Sequence, residues 1–189
     1  MKYVEPIKNI QKIHELKQIL LNRSRRDYCL FVMGINTGLR ITELLHSKVS
    51  DVYCEETGRV LDFLSPETRK GTSYPHFYLN DQVKQAVGLY LSDNHLKSED
   101  FLFCSAKTNS PITRQQAYRV IHAAAREAGI EHNVGTHTMR KTFGYHAYRK
   151  GVAISLLQKI LKHASKSEAY VYLGIDPSSE EPVQIDVNL

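Results

Sequence analysis

The sequence predicts a mainly α-helical domain that carries a small antiparallel β-sheet, an α+β class, and three observations predict it. Apolar residues recur at helical spacing over much of the 189-residue chain. Residues suited to capping or ending helices bracket those stretches. One central region instead holds two short β-like runs parted by a polar turn.

The elements follow in order. Ile10, Ile13, Leu16 and Ile19/Leu20 keep one helical face, with Asn9 placed to cap it. A second helix starts after Ser24, runs through Tyr28, Phe31 and Ile35 and stops at Gly38, a residue type suited to the position just past a helix end. A short helix is expected at Ile41–Leu45. Residues 59–64 and 73–79 are the β-like runs, with the turn near Lys70-Gly71; Pro75 puts the second strand at an edge or gives it a bulge. Asn80 caps a helix through Leu91, and 101–104 is a short apolar run. Helices are expected at 113–128, closed by Gly129, at 137–149, closed by Gly151, and at 153–161 and 167–173. No repeat, low-complexity stretch or Pro/Gly/Ser linker divides the chain, so one domain is expected over 1–173, followed by an acidic tail over 174–189. In that tail Val183, Ile185 and Val187 alternate with polar residues, the pattern of a short strand, of a segment docking on a neighbouring subunit, or of a frayed terminus.

Composition narrows the function. With 42% hydrophobic and 24% charged residues the chain is globular, and no run approaches a membrane span. The start, MKYVEPIKNIQK, has no apolar signal region, so a cytoplasmic protein is expected. Cys29, Cys54 and Cys104 lie far apart and form no CxxC pair; they read as reduced thiols in or near the core. The net charge of +5 is unevenly spread: residues 105–165 hold ten Lys or Arg against Glu127 and Glu131, whereas the stretch from 166 to 189 holds one Lys against five acids. A basic block of this kind fits a polyanion partner, and on charge alone it fits a solvated helical surface equally well.

Breaking a phosphodiester without metal needs a nucleophile, cations on the non-bridging oxygens and an acid for the leaving 5′ oxygen. Arginine suits the second task because its planar fork stays charged and can hold two phosphate oxygens. Three clusters supply candidates. In the run from Thr37 to Leu45, TGLRITELL, Gly38 allows a tight helix exit, Arg40 opens the next helix and Glu43 stands one turn on. Read alone, Arg40 is a surface residue and Glu43 a capping acid. His137 and Arg140 stand three apart on one helix face and can meet one phosphate, although such a pair alone is as often structural. His163 is followed nine residues later by Tyr172, which in isolation reads as a core aromatic.

Together these clusters resemble the tyrosine recombinase (phage integrase) family, and by overall pattern those of Gram-positive bacteria and their phages. TGLRITELL matches that family's box T-G-x-R-x-x-E-L, THTMRKTF its H-x-x-R, and LKHASKSEAYVY its L-x-H with the nucleophilic tyrosine nine residues on. The resemblance spans about residues 10–172 and implies that family's catalytic-domain fold. It implies site-specific recombination or integration through a 3′-phosphotyrosyl intermediate, with no metal and no cofactor. Tyr172 would be the nucleophile. Arg40 and Arg140 would clamp the scissile phosphate, His137 and His163 would donate hydrogen bonds to it, and His137 would also help to manage the Tyr172 proton. Lys70, in the turn between the β-like runs, would be the general acid, with Arg69 as its rival; Glu43 would support Arg40 or His137 from behind. Arg69, Arg114, Lys141 and Lys162 are the cations expected to meet DNA. The implied partners are double-stranded DNA, further copies of the chain as a tetramer on DNA, and accessory proteins.

The chain also departs from the pattern. Lys162 stands where a glycine often precedes the third-box histidine, and Lys141 where many members have histidine. Tyr170 is rejected as nucleophile because its step from His163 is seven. The short stretch before Arg40 leaves no room for the family's N-terminal core-binding domain, which is expected to be absent. That shortness supports an alternative, a non-cleaving DNA-binding regulator or competitor of a full-length recombinase. A metal-dependent nuclease built on the nine histidines is disfavoured, since the chain has neither an HExxH motif nor a carboxylate cluster.

Overall fold

The computed structural model describes residues 4–64, 76–105, 108 and 110–177. Eight α-helices and four two-residue strands stand among them: α1 (Ile10–Arg23), α2 (Arg25–Thr37), α3 (Ile41–Leu45), β1 (Tyr53–Cys54), β2 (Arg59–Val60), β3 (Phe63–Leu64), β4 (Phe77–Tyr78), α4 (Asp81–Leu91), α5 (Arg114–Glu127), α6 (Thr136–Arg149), α7 (Ile154–Leu161) and α8 (Lys166–Leu173). The expected class, mainly α with small antiparallel pairings, is the observed one.

The helix signals act through identifiable bonds. The Asn9 side chain accepts from the backbone N–H groups of Gln11 and Lys12 at 2.8 and 3.3 Å. Ser24 serves both neighbours: its N–H closes α1 on the Leu20 carbonyl at 2.8 Å, and its Oγ accepts from Asp27 N–H to open α2. Asn80 and Thr113 cap α4 and α5 in the same way. Ile13, Leu16 and Leu20 of α1 are buried, whereas Ile10, in the first turn, points to solvent, so the expected apolar face begins one turn later.

α2 is the central helix, packed on α1, α4 and α6, and its run from Cys29 to Met33 is wholly buried. It approaches α6 closely at Gly34, where an added Cβ would lie 2.7 Å from Met139 Sδ. Gly38 then ends α2 in the left-handed region (φ +67°), with Phe143 filling the space a side chain would need. This tight exit places Arg40 at the mouth of the fold.

The β region departs from expectation. The single run at 59–64 is two strands with different partners: β2 pairs with β1 (Tyr53↔Val60), and β3 pairs with β4 (Phe63↔Tyr78). The backbone changes partner between them, Leu61 N–H donating to Val52 and the Asp62 carbonyl accepting from Leu79 N–H. Among the described residues two two-stranded sheets therefore replace one. Lys70, Arg69 and Pro75 belong to the connection between β3 and β4 and lie outside the described residues, as does the tail beyond 177. The apolar run at 101–104 makes only isolated bridges, Lys48↔Phe101 and Cys104↔Pro111, while Leu102 and Phe103 are fully buried.

The core is in two parts. The larger gathers α1, α2, α4, α5 and the loops around them. A smaller one consists of Leu157, Leu161 and Leu173, with Phe143, Ala147 and Tyr148 of α6 packed against it. α7 and α8 thus sit on α6. That approach needs Gly144, where a Cβ would lie 2.5 Å from Leu173 Cδ2 and 3.3 Å from Leu161 Cδ1. Among the described residues no helix is long and apolar enough to cross a membrane.

Candidate active site

A cleft of about 380 Å³ opens where the start of α3, the first turns of α5 and α6, the end of α7 and one face of α8 converge. Its walls include Arg40, Arg114, His137, Arg140, Lys162, His163 and Tyr172. Residues as far apart in sequence as 40 and 172 are thereby brought to one concavity rich in cations.

Each is held by its own local structure. Arg40 is the residue before α3, exposed and extended (φ −68°, ψ 146°). Its backbone N–H donates to Glu43 Oε2 at 2.7 Å, so Glu43 steadies Arg40 through the main chain. Arg140 is 5% exposed and ties three segments together. Its guanidinium donates to the Gly38 carbonyl and, at 2.9 Å, to the Leu161 carbonyl. Both acceptors stand at helix ends, where carbonyls lack intrahelical partners and the dipole favours a cation. One turn earlier on α6, His137 lies at the exposed rim, and Arg114 Nη2 is 2.7 Å from its Nε2.

His163 follows α7, its N–H donating to the Gln158 carbonyl at 2.9 Å. Its ring stands edge-on to Tyr172, with centroids 4.6 Å apart and planes at 70°. Its Nδ1 is buried without a hydrogen-bond partner among the described residues. Lys162, immediately before it, is the only non-glycine residue with positive φ among those described (φ +55°). α8 is opened by Ser165, whose Oγ accepts from Glu168 N–H at 3.1 Å, while Glu168 Oε2 accepts from Ala164 N–H at 2.7 Å. This pair fixes the helix that carries Tyr172.

Lys141 stands apart from the other expected DNA contacts. It is 5% exposed, and its ammonium lies 4.8 Å from the Tyr172 ring centroid. A second, larger cavity of about 950 Å³ meets the first at Arg114, His137 and Tyr172 and is also lined by Lys141 and Tyr118. Glu43 does not line the cleft, and Arg69 and Lys70 lie outside the described residues.

The electrostatics follow from burial and from the gathered cations. Burial lowers the His137 pKa from 6.5, and Arg114, Lys141 and Arg140 lower it further. Burial also lowers that of His163, where Glu168 opposes and Arg140, Arg40 and Lys141 assist. Burial raises the Tyr172 phenol above 10.0, and Arg140 counters it by its charge and a hydrogen bond, with Arg40 adding a smaller pull. Lys141 is lowered by burial against the opposing charge of Glu5. At neutral pH the two histidines are neutral and the tyrosine holds its proton. Among the described residues no three of His, Cys, Asp and Glu gather as a metal site would require.

Sequence reasoning missed several contributors. Thr42, Thr136 and Glu168 also line the cleft; of these only Glu168 carried a signal, the S-x-x-E spacing from Ser165. The burial of Lys141 under Tyr172 had none.

The model of the phage integrase family matches residues 8–178. A probable integrase/recombinase of Bacillus subtilis (strain 168), YoeC, is 42% identical over 93% of this chain and 92% of its own length. Among solved structures, the XerA recombinase crystal structure overlays with a TM-score of 0.74 at 24% identity, covering 94% of this chain and 62% of that one. The XerH site-specific recombinase bound to a palindromic difH substrate, a post-cleavage complex, gives 0.67 at 20% identity, covering 93% and 51%. The chain spans 54% and 56% of two other curated relatives, so it corresponds to about half of those proteins. The chain belongs to the phage integrase family of tyrosine-type recombinases and has their catalytic-domain fold.

Proposed function

We propose that this chain cleaves and rejoins double-stranded DNA at specific sites through Tyr172, for site-specific recombination or integration. The observation that carries this is the convergence of Arg40, His137, Arg140, His163 and Tyr172 from separate elements on one cleft. Arg40 and Arg140 present guanidinium groups that balance charge developing on the non-bridging oxygens. His137 Nε2 takes the Tyr172 proton, the phenolate oxygen bonds to phosphorus, and the bond to the 5′ oxygen breaks. Lys70 supplies the proton to that leaving oxygen, with Arg69 the neighbouring candidate. His163 supports the phosphate from the far wall. The product is a 3′-phosphotyrosyl bond and a free 5′ hydroxyl, and the reverse attack reseals the strand because the covalent link retains the bond energy. Lys162 and Arg114 extend the cationic wall toward the DNA backbone, and four copies assemble on DNA, with accessory proteins as further partners.

The test is a nicked duplex carrying the preferred site, recovered by selection from random-sequence DNA. An SDS-resistant adduct with the wild-type chain, absent with Tyr172→Phe, is expected. Lys70→Ala is expected to slow adduct formation more than Arg69→Ala does, and to be rescued by a substrate whose leaving oxygen is replaced by sulfur. Salt-sensitive binding without any adduct would overturn the cleavage reading in favour of a non-cleaving regulator.

A further inference from the structure

We infer that Arg114 is a positioning residue that sets the tautomer of His137, holding Nε2 as a bare acceptor at the cleft. The inference rests on the cleavage chemistry proposed above and gives its proton-accepting step a physical origin. The distance between Arg114 Nη2 and His137 Nε2 is 2.7 Å. A guanidinium has only donors and does not deprotonate in proteins, so this bond obliges Nε2 to accept. The ring proton must then sit on Nδ1, and a doubly protonated ring is excluded while the bond stands. Free imidazole has no such constraint.

The surroundings act in the same direction. Arg114 reaches the ring from α5, and Arg140 and Lys141 flank it on its own helix, each adding positive charge that opposes protonation. Tyr172 and Glu168, from α8, Lys162 and His163, from the end of α7, and Arg40, from the start of α3, share the cleft with it, and the Glu168 carboxylate is not among the groups that shift it. Arg114 is the first residue of α5, exposed, and Thr113 rather than Arg114 caps the helix. Its guanidinium makes its hydrogen bond to His137 and takes no part in capping α5. When a phosphodiester anion occupies the cleft it competes for that guanidinium, and as Arg114 turns to it Nε2 is released, still unprotonated, to take the phenol proton. Phenol O–H gives up its proton to Nε2, the imidazolium forms, and the oxygen lone pair makes the new bond to phosphorus.

Long-range ¹H–¹⁵N NMR of the full chain without DNA reads this directly, with the His137 signals identified by their loss in His137→Gln. Wild type is expected to show an unprotonated Nε2 and a protonated Nδ1, with a midpoint below that of an ordinary histidine. Arg114→Met is expected to raise the midpoint and to shift the tautomer population toward Nε2–H. Arg119→Met, five residues on in the same helix, is expected to change neither. An identical His137 tautomer and midpoint in wild type and Arg114→Met would overturn the inference whether or not the chain cleaves DNA. In the adduct assay, Arg114→Met is expected to lose some rate at every pH from the shifted tautomer and several-fold more as pH falls into the imidazole range. An equal loss at every pH, with weaker DNA binding, would make Arg114 a phosphate contact alone.

Discussion

Lys162 holds a backbone shape that ordinarily belongs to glycine. α7 ends on it in the left-handed region (φ +55°, ψ 48°), which costs an L-residue about 1 kcal/mol. Glycine, which the resemblance implies often stands here, takes this backbone shape without a side-chain clash. Lys162→Gly is therefore expected to raise stability by about 1 kcal/mol, seen as a higher urea midpoint at unchanged slope. Lys162→Ala, which keeps the strain, should not. If Ala stabilises as much as Gly, removal of charge rather than backbone relief is the cause. The histidines of the cleft give a second expectation at this scale. Both His137 and His163 titrate below 6.5 when folded. As pH falls, the unfolded chain binds the proton first, so their contribution is complete above the unfolded value and is lost as pH drops through the folded ones. The urea midpoint should fall as pH drops below the ordinary imidazole value, and it should fall less in the His137→Gln/His163→Gln double variant. Equal losses in the two proteins would contradict the lowered values.

α8 is placed by a small residue on another helix. Gly144 lets Leu173 approach α6, so that Tyr172 reaches the cleft beside Arg140. A methyl group there must push Leu173 away. Gly144→Ala is expected to cost about 1–3 kcal/mol by overpacking and to slow adduct formation at least ten-fold through displacement of α8. Full activity in that variant would show that the approach is unimportant. Helices and their limits were largely legible in the sequence, because Asn9, Ser24 and Asn80 cap through local bonds, and Gly38 ends α2 through a left-handed turn, that residue type alone specifies; the caps at Thr113 and Ser165 were not read from it. The strands were less so. Nothing between Arg59 and Leu64 signals that the backbone changes partner, since the partners are chosen by Val52 and Leu79 from outside the run.

At the scale of the whole molecule, what the sequence could not show was how charge is used. It offered Lys141 and Arg114 only as cations; the fold buries Lys141 against Tyr172 and sets Arg114 beside His137. Both depend on packing between α5, α6 and α8 that no local pattern encodes. The cations that remain on the cleft wall still imply a polyanion partner. A log–log plot of DNA affinity against salt should have a slope of about −3 to −4, the value for roughly four phosphates neutralised. A slope near −1 would place the DNA elsewhere. The central claim, that Tyr172 becomes joined to DNA, is tested most directly by mass spectrometry of the protein trapped on a nicked duplex. Tryptic digestion is expected to yield a nucleotide-bearing peptide that begins at Ser167 and carries its modification on Tyr172, and no such peptide from Tyr172→Phe. A nucleotide found on Tyr170 or any other residue, or an adduct that survives Tyr172→Phe, would contradict the account.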